Sequence, residues 1–128
     1  MFNEATQNKF SEANIAKYQA MVIKAEKRIT ELRAIAQVAT SRANMSMENL
    51  ADSVGRMFDE NGNKKWDAYM HIEGEVGFLN VVYRTNVQEV RKANRNLRRM
   101  CECHDIWHEY LEHLKSFRKR HIDQLGAA

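Results

Sequence analysis

Residues 15–43 read IAKYQAMVIKAEKRITELRAIAQVATSRA, and their spacing decides the fold. Ile15, Tyr18, Val22, Ala25, Ile29, Leu32, Ala36, Ala39 and Ala43 follow one another at alternating intervals of three and four, and all nine are apolar. A straight α-helix drifts away from such a 3.5-residue repeat. The stripe stays buried only if the helix supercoils against a neighbouring helix. The alanines toward the end of the run predict a close approach there. Lys17, Lys24, Glu26, Lys27, Arg28, Glu31 and Arg33 fall between the apolar positions and form a solvated face.

Beyond Ala43 the apolar repeat falters at residues 44–47, where Ser46 is placed to cap a fresh turn. Met47, Leu50, Ala51, Val54, Met57 and Phe58 then make a second apolar set, so a break is expected near residue 45. Residues 59–65, DENGNKK, are the clearest turn signal in the chain. Asp59, Asn61 and Asn63 match the first ligand positions of a calcium loop. Gly62 is out of place for one, however, and Met70 stands where the bidentate acid belongs, which leaves a helix–helix connection.

A second 3-4 series follows the turn: Tyr69, Ile72, Val76, Leu79, Tyr83, Asn86, Val90, Ala93, Leu97, Met100, His104, Trp107, Leu111 and Leu114. Only Asn86 and His104 are polar, and a single seam asparagine commonly sets register and oligomeric state. Gly74 and Gly77 weaken the start of this stretch, and Asp105 is placed to cap a new helix, so breaks are also expected near 74–77 and 101–105. The sequence predicts an all-α fold: a long helical hairpin or coiled-coil-like bundle in one domain, 1–128, with arms 9–58 and 66–124 around a turn at 59–65. Two helices alone leave apolar side chains such as Phe78, Val81 and Ile106 uncovered, so either a folded-back bundle of three or four helices or, the favoured expectation, a homo-oligomer of hairpins covers them.

Composition agrees with this reading. The 128 residues include no proline and five glycines, too few for a loop-rich or sheet-rich domain. Cys101 and Cys103 are too close together to staple the fold. The opening MFNEATQNKF has the character of neither a signal peptide nor an anchor, and no run nears the roughly 18 apolar residues of a membrane span. A reduced, cytoplasmic location away from membranes is the expectation.

Phosphate-cradling glycine loops and nucleophile elbows are missing from the sequence, so neither an enzyme nor a cofactor is expected. Cys101, His104 and His108 share one helix face at i, i+3 and i+7, with Asp105 or Glu112 as a fourth candidate zinc ligand. Both histidines also lie on or beside the apolar seam, and seam histidines are more often core residues, so no metal is assigned.

The basic residues are the stronger signal. The net charge is only +3, yet residues 84–99 hold Arg84, Arg91, Lys92, Arg95, Arg98 and Arg99 against Glu89 alone. Lys115, Arg118, Lys119 and Arg120 add a second cluster. Arg84, Arg91, Arg95 and Arg98, spaced 7, 4 and 3, align on one helix face. Such a row can follow a phosphodiester backbone without reading bases. Trp107, Tyr110 and Phe117 are candidates to stack on unpaired bases. An acidic protein surface would suit the same row.

Three local stretches resemble the UvsY-type recombination mediators of T-even-like phages. Lys17–Tyr18 open a charged heptad helix with Ile29 and Leu32. Asp67, Tyr69, Met70, Glu73, Glu75 and Val76 are similar to the family's D-x-Y-L-x-x-D-x-D-L stretch, and Phe117, Arg120 and Ile122 to its closing Phe-x-x-Lys segment. The chain departs from the family before the turn, where Met57–Phe58 and Gly62 replace paired tyrosines and a glycine. The resemblance implies a small helical oligomer that binds single-stranded DNA and helps load a recombinase. The alternative, drawn from the chain's size and surplus apolar surface, is a protein–protein module such as a phage-encoded inhibitor or adaptor.

Overall fold

The computed structural model describes residues 2–125 and is all-α, with two long helices packed against each other as a helical hairpin. A short helix α1 (Glu4–Lys9) precedes the long α2 (Glu12–Gly55). The second long helix, α3 (Trp66–Arg120), is followed by a single turn, α4 (Ile122–Leu125). Among the described residues no helix is long and apolar enough to cross a membrane.

The helix ends follow from local chemistry. Asn3 caps α1 by accepting the Thr6 amide at 2.8 Å. Ser11 does the same for α2, its hydroxyl accepting the Asn14 amide at 3.2 Å while donating to the Asn8 carbonyl at 2.8 Å. The first arm therefore begins at Glu12, not residue 9, because Phe10 and Ser11 form the corner. In the connection, the Asp59 carboxylate accepts the amides of Asn61 and Asn63 at 2.9 and 2.8 Å. Gly62 adopts φ +80°, a left-handed conformation that glycine reaches without penalty. The carboxylate that headed the calcium-loop pattern is thus occupied in closing a turn.

The expected breaks are absent. α2 runs without interruption through residue 45, and α3 runs through 74–77 and 101–105. At the first site the heptad does not falter but changes chemistry. The seam continues from Ala43 to Ser46, Leu50, Ser53 and Met57, and the two serines are buried. Each is satisfied in place: the Ser46 hydroxyl donates to the Arg42 carbonyl at 2.6 Å and accepts from the Asn86 side-chain amide, while Ser53 reaches Glu75 at 3.3 Å. Ser46 is therefore a seam residue and not a cap, and Met47 and Val54 of the expected second apolar set are exposed. Gly74 and Gly77 cost α3 backbone entropy, about 1 kcal/mol each relative to alanine, without stopping a helix whose seam is packed on both sides of them. Asp105 lies inside α3, its carboxylate 3.3 Å from His104 Nδ1.

The chain forms two compact units. A terminal unit comprises residues up to Glu31 with those from Leu97 onward, and a turn unit spans Leu32–Asn96. In the terminal unit Phe10, Leu114 and Leu125 are buried, with Phe2, Ile15, Tyr18, Tyr110 and Phe117 packed against them. Phe10 stacks on Phe117 with ring centroids 3.8 Å apart, and Tyr18 meets Tyr110 edge-on at 4.8 Å. The turn unit buries Leu32, Ala36, Ala43, Met57 and Ala93, with Ser46 and Ser53 beside them.

Candidate nucleic-acid interface

Every turn of α3 from Arg84 to Arg99 carries seam residues inward, which leaves the intervening cations facing out. Arg84, Arg91, Lys92, Arg95, Arg98 and Arg99 are all exposed. None of the six lies within 4.0 Å of a carboxylate among the described residues. Arg84, Arg91, Lys92 and Arg95 belong to the turn unit, while Arg98 and Arg99 lie on the terminal unit's part of the same helix. Successive heptad positions on a helix sit about 10 Å apart at 1.5 Å rise per residue. In the turn unit the unpaired guanidinium groups of Arg84, Arg91 and Arg95 can donate to phosphate oxygens without first breaking an internal ion pair.

The second cluster divides. Lys119 and Arg120 are exposed, and Lys115 approaches Glu112 at 3.7 Å. Arg118 is buried, the one charged side chain so placed among the described residues. Its Nη1 donates to the Phe10 carbonyl at 3.1 Å, and its Nη2 lies 3.5 Å from Glu12 Oε1. Arg118 is therefore withdrawn from the expected binding set. The 3-4 seam of α3 continues past Leu114 to positions 118, 121 and 125, so this arginine is a seam residue that ties α1 and the start of α2 to the end of α3.

The three candidate stacking aromatics also part company. Tyr110 and Phe117 are engaged in the terminal core through Tyr18 and Phe10. Trp107 is half-buried and lines a groove of the terminal unit with Met21, Met100, Lys24, Lys27 and Arg28. Arg28 is paired with Glu31 at 2.9 Å, but Lys24 and Lys27, which line the same groove, have no carboxylate within 4.0 Å among the described residues. On sequence alone these lysines belong to a featureless solvated face. The buried seam residue Ala25 lines the groove with them.

The zinc candidates do not converge. Among the described residues no group of three or more His, Cys, Asp or Glu side chains is arranged to hold a metal. His104 turns to carboxylates instead, with Nε2 3.2 Å from Glu26 Oε1 and Nδ1 3.3 Å from Asp105 Oδ1. The Glu26 hydrogen bond raises its pKa above the ordinary 6.5, desolvation opposes that shift, and Asp105 adds to it. The His108 ring is stacked parallel to that of His104 at 5.9 Å, Cys101 is half-buried and Cys103 exposed.

No family model, curated protein or solved structure matches this chain. The fold and the surface define a class, an all-α helical hairpin with a one-sided basic helix.

Proposed function

We propose that this chain is a non-enzymatic helical accessory protein that binds single-stranded nucleic acid through the basic face of α3. The observation that carries this reading is the exposed row Arg84, Arg91, Lys92, Arg95, Arg98 and Arg99, free of internal ion pairs among the described residues. Phosphate contacts of this kind need no base sequence, and binding releases counter-ions. Trp107, in a groove that Lys24 and Lys27 also line, supplies a stacking surface for an unpaired base in the terminal unit. A role as a phage recombination mediator, assembled as an oligomer in the cytoplasm, accords with the UvsY-type resemblance and is part of the same proposal.

The test is fluorescence anisotropy of a labelled single-stranded oligonucleotide across a salt series. Six phosphate contacts predict a log–log salt slope of about −4, and charge reversal of Arg91 and Arg95 (R91E/R95E) lowers that magnitude by about 1.4. Absence of binding at low salt rejects the reading.

A second reading, a protein–protein module for an acidic partner, is favoured by the exposed Ile35, Val38, Met45 and Phe78 of the turn unit. Under it, R91E/R95E abolishes capture of a defined partner that survives nuclease treatment, while oligonucleotide binding is absent from the start.

A further inference from the structure

One side of the turn unit carries a groove lined by Ile35, Val38 and Arg42 of α2 and by Glu89, Lys92 and Asn96 of α3. Nearer the connection lies a shallower depression lined by Asn49, Asp52, Arg56 and Glu75. Val38, Met45 and Asp52 are seven residues apart, as are Arg42, Asn49 and Arg56, so both depressions open on one face of α2. On that face Ile35 retains 50% of its accessible surface, Val38 51% and Met45 63%.

Charge divides the unit into two halves. Away from the connection, residues 32–43 and 84–96 hold Arg33, Arg42, Arg84, Arg91, Lys92 and Arg95 against Glu89. Toward the connection, residues 44–83 hold seven carboxylates against Arg56, Lys64 and Lys65. Arg56 is already paired with Glu75 at 3.1 Å, whereas Asp52 has no cation within 4.0 Å among the described residues.

We infer that this groove seats a second copy of the same chain, antiparallel to the first, about a twofold axis level with the midpoint between Arg42 and Asp52. The inversion lays the Arg42 and Lys92 end of each copy's groove toward the Asp52 and Glu75 end of the other's and brings Arg42 against the partner copy's Asp52 twice. A parallel copy would set like charge on like and is disfavoured. Arg42 and Asp52 lie ten positions apart, about 15 Å along α2, and Met45 sits between them where the two copies meet. The stretch 35–56 is about 30 Å long and two helices wide, a footprint on the order of the 800 Å² per partner of a standard interface. Such a contact is isologous, so it closes at the dimer. Of the basic row only Lys92 lines this groove, so the dimer does not need nucleic acid, although it rests on the oligomeric assembly proposed above.

Sedimentation equilibrium of the full chain over a concentration series, without nucleic acid, tests it. The expected result is a monomer–dimer equilibrium reaching twice 15.0 kDa. Arg42→Asp and Asp52→Arg each weaken the dimer by about tenfold or more, and the double exchange restores it, because in a twofold pair the swapped charges meet again. Both side chains are exposed, so the variants keep their helicity, which circular dichroism checks. Met45→Lys, also on an exposed position, abolishes the dimer. A chain that stays monomeric at every concentration, a dimer indifferent to Arg42→Asp, or a double exchange without rescue overturns the inference. So does a chain that pairs only with a different protein.

Discussion

The terminal unit and the turn unit are built from the same two helices with the same 3-4 spacing, yet they finish their cores differently. Of twelve large apolar side chains left exposed among the described residues, nine lie in the turn unit and three, Ile23, Ile106 and Ile122, in the terminal unit. The terminal unit has extra elements to close it: α1 and α4 fold Phe10 and Leu125 onto Leu114, and the aromatics complete the cover. The turn unit has only the hairpin itself, with alanines and serines among its buried residues. Two paired helices bury one stripe each. Anything broader needs a third element or a second chain.

The largest expected effect tests the completeness of the terminal core. Leu114 is fully buried, so Leu114→Ala leaves a cavity and costs about 2–5 kcal/mol. Val90, a half-buried seam residue of the turn unit, loses less on Val90→Ala, no more than about 1.5 kcal/mol. Thermal or urea unfolding of the two variants measures the difference, and equal losses would erase the contrast between the units.

Arg118 gives the next effect. Arg118→Met keeps the packed stem but strands the Phe10 carbonyl that the guanidinium satisfies, at a cost of about 1–3 kcal/mol. The loss belongs to the terminal unit, so hydrogen exchange should accelerate in α1 and the first turns of α2 while amides near Ser46 keep their protection. Uniform acceleration along α2 would show that the units do not respond separately.

In the turn unit the polar seam trades stability for specificity. Asn86 and Ser46 place a hydrogen-bonded pair where the heptad calls for apolar residues. Replacing both, Asn86→Leu with Ser46→Ala, should raise stability by about 1 kcal/mol while loosening register, seen as mixed species by light scattering. A stabilised variant with one unchanged species would reduce Asn86 to a tolerated defect.

The hairpin was legible because an apolar 3-4 repeat with no proline has few other outcomes, and the turn because Asp59 and Gly62 carry the geometry themselves. The break near residue 45 was misread for a definite reason. Ser46 looks like an interruption when only apolar side chains are counted, but a serine returning its hydroxyl to the carbonyl four residues back can sit in a seam. Arg118 looks like surface because it is charged, yet the period that places Leu111 and Leu114 inward places residue 118 with them. The outward row from Arg84 to Arg99 was readable because no seam position falls on it. The nearness of Lys24 and Lys27 to Trp107 was not, since it depends on the register between two helices and no single stretch records that.

The smallest expected effect is a pH dependence confined to the terminal unit. His104 is held by Glu26 and Asp105, so its folded pKa lies above the ordinary 6.5. A raised histidine pKa means that the protonated form binds its carboxylates in the folded state. The stabilisation is complete below 6.5 and disappears as pH rises through the folded value. Glu26 and Asp105 are water-exposed, which keeps the effect below about 1 kcal/mol. The wild type should therefore unfold at slightly higher denaturant concentration at pH 6 than at pH 8, and Glu26→Gln should remove most of that difference. Because the turn unit has no such histidine pair, amide exchange near Leu32–Ala43 should stay flat once corrected for the intrinsic rate. A pH response there instead would mean that the charge on His104 is felt well beyond the side chains that hold it.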